Sequence, residues 1–192
     1  MNSIRRYFIH LAVLSACSIA VDAAAPKGWF VAGSMPADYE SGIDVSAVHN
    51  YRPSAYLRST TPVIRGFGTL MQQINAGHYL GKRVRFSALV KTQDAQEWAG
   101  LWMRVDNGPK MLAFDNMENR PIKGTRDWRR YDVVLDIPQE ATGIFFGILL
   151  SGSGEVWLND AKIEIVGAEV LPTGGETTHP LPDEPTNLDF RE

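Results

Sequence analysis

The chain has 192 residues, 44% of them hydrophobic, a formal net charge of −3 and a single cysteine. That length holds one domain of ordinary size plus terminal segments, and one cysteine excludes an internal disulfide, so stability must come from a packed core. Residues 167–192 carry six acidic side chains and one arginine; the remainder is near neutral, which argues against nucleic acid as the main partner, because phosphate binding needs a clustered basic surface.

Residues 1–23 read as an export signal. Arg5 and Arg6 supply a positive start, Tyr7 to Val21 is apolar apart from His10 and a few serines, and small residues follow. The run is short for a membrane-spanning helix. Val21 and Ala23 fill the small-residue positions for cleavage after Ala23. A second reading stands beside this one: Leu14-Ser15-Ala16-Cys17 resembles a lipobox, with Cys17 as the lipidated residue. Both readings export the protein, to the periplasm or medium in the first case and to a lipid anchor at the envelope in the second. Membrane contact is expected only with Cys17 lipidated.

From about Gly28 to Val166, short strand patterns alternate with turn residues. Ala55 to Ser59 alternates, and Phe67 to Ile74 is a second run. Ile74 to Tyr79 has room for a helical turn at most, since Gly77 and Gly81 work against a longer helix. Arg83 to Lys91 sets Val84, Phe86, Ala88 and Val90 on one side, and Trp98 to Asp106 follows, ended by the turn signal Asn107-Gly108-Pro109. Met111 to Phe114 is short, and a polar loop is expected over 115–127. Tyr131, Val133, Leu135 and Ile137 alternate up to Pro138. Ile144, Phe146, Ile148 and Leu150 form another apolar row, and a final strand pair is expected over 156–166. Eight or so short strands without a convincing helix indicate an all-β protein, an antiparallel β-sandwich of jelly-roll form. The domain is expected over 26–168. Residues 169–192, rich in proline and acid, read as a linker or disordered tail.

The segment Glu97 to Asp106 carries the most chemistry. With strand parity, Ala99, Leu101, Met103 and Val105 form an apolar row for the core. Trp98, Gly100, Trp102, Arg104 and Asp106 form the opposite row. Two indoles on one face make a platform for a sugar ring, with polar neighbours fixing orientation; the alternative is that one or both are capped by a loop or sheet. Arg104 either holds a hydroxyl or carboxylate or pairs with Asp106. Asp115, Asn116 and Arg120, with Glu118, Asn119 and Lys123, make a polar loop that either reaches the rim of a cleft or is a solvated connection. Trp128 and Trp157 are each expected to close one end of the core. The four histidines lack metal-ligand spacing, and no nucleophile elbow or phosphate-binding glycine loop is present, so no catalytic residue or metal ligand is assigned.

Several phrases occur together in order: Gly66-Phe67-Gly68-Thr69-Leu70-Met71-Gln72, Tyr79-Leu80-Gly81-Lys82-Arg83-Val84, Gly124-Thr125-Arg126-Asp127-Trp128 and Gly154-Glu155-Val156-Trp157-Leu158-Asn159-Asp160. They resemble the galactose-binding-like jelly rolls that include many carbohydrate-binding modules. Trp98 to Asp106, and Leu112 to Thr125, look like a narrower bacterial group also found attached to AraC-type transcription regulators. The resemblance implies the jelly-roll fold and allows a structural calcium near Asp160, with no other cofactor. DNA binding is not carried over. The expected function is an exported, non-catalytic binding module for a carbohydrate or similar polar ligand. The alternatives are an interaction or assembly domain with an envelope protein as partner, and a hydrolase whose residues converge only in space.

Overall fold

The structure is a computed structural model that describes residues 24–174. The expected leader, Cys17 and the chain from residue 175 onward lie outside the described residues. Among the described residues there are nine strands: β1 (Phe30–Gly33), β2 (Tyr39–His49), β3 (Arg52–Ser59), β4 (Phe67–Asn75), β5 (Arg83–Asn107), β6 (Lys110–Asp115), β7 (Ile122–Asp136), β8 (Gly143–Ser151) and β9 (Glu155–Val166). Single 3-10 turns occupy Pro36–Asp38 and Gly77–Tyr79. All strand pairs are antiparallel, in the order β1-β4-β8-β5-β9-β3-β2, with β6 and β7 added to β5. This is an antiparallel β-sandwich.

The two layers meet in β5. The sequence suggests separate strands at 83–91 and 98–106; the structure instead has one bent strand of 25 residues. Its first half pairs with β9 and β7, and its second half with β8 and β6. Between them the ladder with β7 slips three times, and Asp94 adopts a left-handed conformation (φ 51°). Bulges of this kind let a strand turn a corner and change layers. The β8–β9 turn braces the bend, since the Gln96 amide donates to the Ser153 carbonyl at 2.9 Å. Gly154 (φ 132°) fits there because it lacks a side chain: a Cβ would lie 2.6 Å from the Asp94 carbonyl oxygen.

The first layer is thus β1-β4-β8, the second half of β5, and β6. The second is β2-β3-β9, the first half of β5, and β7. Their inner faces make the core, in which Leu70, Leu101 and Ile148 from the first layer meet Leu57, Val84 and Val133 from the second. Phe86 and Phe146 pack ring to ring across the layers, with centroids 5.1 Å apart. Ala99, Leu101, Met103 and Val105 are all fully buried, as the alternation requires.

Three expectations are corrected. β7 begins at Ile122, so the second part of the expected 115–127 loop is strand. Residues 155–166 form one long strand, which borrows β3 and β5 as neighbours, not a pair. Trp157 lies outside the central cluster, which takes its neighbours Val156 and Leu158; its indole N–H donates to Asp44 at 2.8 Å and Lys91 sits over its ring. The described start of the tail is also tied to the sandwich: Thr173 exchanges hydrogen bonds with the backbone of Val134, and Arg83 donates to the carbonyls of Ala168 and Val170.

The Asp44 contact predicts a pH dependence. A hydrogen bond from the Ser46 hydroxyl, then the Trp157 indole and the Ser46 and Ala47 amides, outweigh burial and hold the carboxyl at about 2, below its ordinary 3.8. A carboxyl depressed in the folded state contributes stability that is complete above the unfolded value and disappears as pH falls through the folded one. Trp157 fluorescence is therefore expected to change between about pH 4 and pH 2. Asp44→Asn should abolish that transition, and its persistence would show that another group is responsible.

Candidate functional site

The outer face of the first layer carries a groove of about 510 Å³. It is built from strand alternation. Phe67, Thr69 and Met71 come from β4, Leu149 and Ser151 from β8, and Trp98, Trp102 and Arg104 from β5. The ladder sets Trp98 opposite Ser151 and Arg104 opposite Phe145, so these pairs mark the two ends. Six residues of strand separate them, a length of about 20 Å. Ala32 and Gly33 of β1 form one wall, and Phe114, Asn116 and Glu118 form the other.

The two indoles differ. Trp102 is only 8% exposed and forms the floor with Met71 and Leu149. Its ring spans β8 to reach β4, where Nε1 donates to Thr69 Oγ1 at 2.7 Å; that hydroxyl in turn donates to the Ile148 carbonyl at 2.9 Å. Trp98 packs at the margin of this cluster and stays partly exposed. The expected platform of two open rings is therefore one fixed floor and one partly open ring. Trp102→Phe should keep the floor but lose the indole hydrogen bond, costing about 1 kcal/mol of stability by denaturant titration. No measurable change would mean that the Trp102–Thr69 bond carries no net weight.

Arg104 pairs with Asp106 and still faces the groove. Its Nη2 is 2.9 Å from Asp106 Oδ2, its guanidinium lies 4.8 Å from the centroid of the Phe145 ring, and the side chain remains 42% exposed at the groove. Aromatic stacking leaves the edges of a guanidinium free to donate. At the opposite end, the Ser151 hydroxyl donates to Glu97.

The polar loop divides between two roles. Asn116 and Glu118 line the groove. Asp115 and Arg120 do not; they hold the loop in place. Asp115 is buried, accepts the Met117 amide at 2.8 Å, and receives both terminal nitrogens of Arg120 at 3.1 and 2.6 Å. Arg120 also donates to the Asp132 carbonyl of β7. This fork closes the gap on the β5 edge between β6 and β7. There the loop crosses Gly100, where a Cβ would lie 2.9 Å from the Asn116 carbonyl oxygen and 3.1 Å from Met117 Cβ. The glycine between the tryptophans thus admits the wall of the groove.

Glu118, named with the polar loop, lines the groove, and Phe67, Thr69, Met71, Phe114 and Leu149 join it without a signal in the sequence that marks them as site residues. Their outward parity is readable, but the pairing of β4 with β8 and β8 with β5 is not. Among the described residues, no three His, Cys, Asp or Glu side chains gather as metal ligands. At Asp160, Arg130 and Lys162 both flank the carboxylate and hold its pKa down, the Arg130 hydrogen bond most strongly.

The chain resembles the xylan-binding CBM22-1 domain of Paenibacillus barcinonensis Xyn10C, with a TM-score of 0.54 and 14% identity over 77% of this chain and 91% of that one. Another xylan-binding CBM22 domain matches with a TM-score of 0.53, 14% identity, and coverage of 76% and 90%. The chain shares the β-sandwich fold of these domains. No protein-family model matches the chain. In sequence it is 48% identical over 168 residues to YbfP of Bacillus subtilis (strain 168), called an uncharacterized HTH-type transcriptional regulator. That match covers 86% of this chain and 57% of the relative, so the chain spans little more than half of that protein's length. It likewise spans 20% of the enzymatically active domain of bacteriophage CBA120 tailspike protein 4, which it matches with a TM-score of 0.50 and 14% identity over 73% of this chain.

Proposed function

We propose that the groove of the first layer binds a polysaccharide chain and that the protein is an exported, non-catalytic carbohydrate-binding module. The carrying observation is the partly open Trp98 indole at one end of a groove of about 510 Å³ whose other end is the Arg104 guanidinium. An aromatic face stacks on the C–H-rich side of a sugar ring, while Arg104, Asn116 and Glu118 supply donors and acceptors for hydroxyls. The fold shared with domains named as xylan-binding supports this reading, and the basic start and apolar run before Ala23 support export. Cys17 supplies a lipid anchor if the leader is processed there.

Affinity electrophoresis of the full chain against xylan, other plant polymers and cell-wall polysaccharides tests the reading. Retardation by at least one neutral polymer is expected, and no retardation by any would overturn it. The 48% identity to a transcriptional regulator favours a second reading, in which the same groove serves a partner protein or effector. Exposed Trp and Arg suit such an interface as well. Recovery of a stoichiometric envelope partner by the wild type, with no polysaccharide retained, would establish it over the first.

A further inference from the structure

The second layer carries a different surface, independent of the sugar groove. β7 pairs with β5 on one side only, and along it runs a second groove of about 780 Å³ lined by Lys123, Arg126 and Arg129 among others. All three are exposed, and none forms an ion pair among the described residues. Other cations lining the groove are engaged: Arg120 with Asp115, and Arg130 with Asp160. Two carboxylates also line it. Asp127 accepts the amide of Trp128, and Asp132 offers its backbone carbonyl to Arg120.

An uninterrupted strand sends side chains three apart to opposite faces. Along the free edge of β7 the groove takes consecutive residues from Arg129 to Asp132 as well as Lys123 and Arg126, and two irregularities of the strand lie between the three cations. Gly124 adopts a left-handed conformation (φ 66°), where two residues of β7 face three of β5. Between Arg126 and Arg129 the count is reversed, with three residues of β7 against two of β5. Charges that merely guard a sheet edge against pairing need only reach solvent; they have no need of a shared groove. Arg129 also lies over the Tyr131 ring at 5.9 Å, which restricts the guanidinium.

Three residues of regular strand would set successive cations about 10 Å apart, and the extra β7 residue between Arg126 and Arg129 shortens that interval to about 7 Å. A nucleic acid strand repeats its charge every ~3.4 Å along the axis, far more densely than this row and its two carboxylates accommodate. We propose that the β7 groove binds an acidic polysaccharide carrying a carboxylate on alternate sugar rings. Each of Lys123, Arg126 and Arg129 meets one carboxylate, and the intervening neutral rings pass Asp127 and Asp132 without repulsion.

The test uses the full chain and hyaluronan, which carries a carboxylate on every second ring, at low ionic strength. The wild type should bind, with affinity falling as salt rises. The triple variant Lys123→Ala/Arg126→Ala/Arg129→Ala should bind roughly tenfold more weakly or worse. A comparator that removes three exposed cations elsewhere, Lys27→Ala/Arg65→Ala/Lys110→Ala, should bind as the wild type does. If the triple variant fails to fold by circular dichroism, Arg126→Glu alone should give the loss. Absence of wild-type binding, equal loss in the two triple variants, retention by the folded variant, or duplex DNA bound as tightly as hyaluronan through the same residues would each overturn the proposal.

Discussion

Trp98→Ala is expected to remove most of the polysaccharide affinity while leaving the protein folded. The ring is partly exposed at the margin of the groove, and the central core does not include it. Truncation therefore deletes a stacking face without opening a cavity between the layers. A stacked aromatic at the end of a binding groove is worth about 2 kcal/mol, roughly a thirtyfold loss of affinity. Isothermal titration against the best polymer from the panel measures it, with thermal unfolding as the control for fold. The same change at Trp102 confounds the two readouts, because that indole is buried and tied to Thr69. Affinity within twofold of wild type for Trp98→Ala would remove the indole from the site.

Asp115→Ala should be the most damaging single change among the polar residues of the loop. It leaves the Met117 amide without its acceptor and releases both nitrogens of Arg120 from a buried carboxylate. Breaking a fully buried pair costs 3–5 kcal/mol; with the Arg120 side chain one-third exposed, solvent recovers part of this, and about 2–3 kcal/mol is expected. For a domain of this size that lowers Tm by roughly 5–10 °C. Because the fork sets the Asn116–Glu118 wall against Gly100, polysaccharide affinity should also fall, although neither Asp115 nor Arg120 lines the groove. Arg120→Ala should reproduce both effects, and the double variant should be little worse than either single one, since the two residues act as one unit. Additive losses would show that they contribute separately.

Much of the architecture was legible in the residues because it depends on period alone. The alternation of Ala99, Leu101, Met103 and Val105 gave their burial directly, and the turn signal at Asn107-Gly108-Pro109 marked a real hairpin, whereas Ser151-Gly152-Ser153-Gly154 turns the chain from one layer to the other between strands that do not pair. Arg83–Asn107 was harder. A polar stretch inside a strand reads locally as a loop, whereas here Thr92 to Glu97 is the corner at which one strand passes from layer to layer. The loop after β6 posed the opposite problem. Asp115, Asn116 and Arg120 look alike as exposed polar residues, yet a buried ion pair separates the first and last from the residue that meets the groove.

Local side-chain parity thus determined the fold class, the core row of β5 and the residue types on its outer face, since these follow from two-residue periodicity and burial. Tertiary structure decided which indole stays open, which loop residues form a wall, and that three arginines and lysines of β7 share one groove. Those outcomes depend on cross-strand register and on bulges. Both are fixed by packing between segments far apart in the chain, for which no local pattern exists.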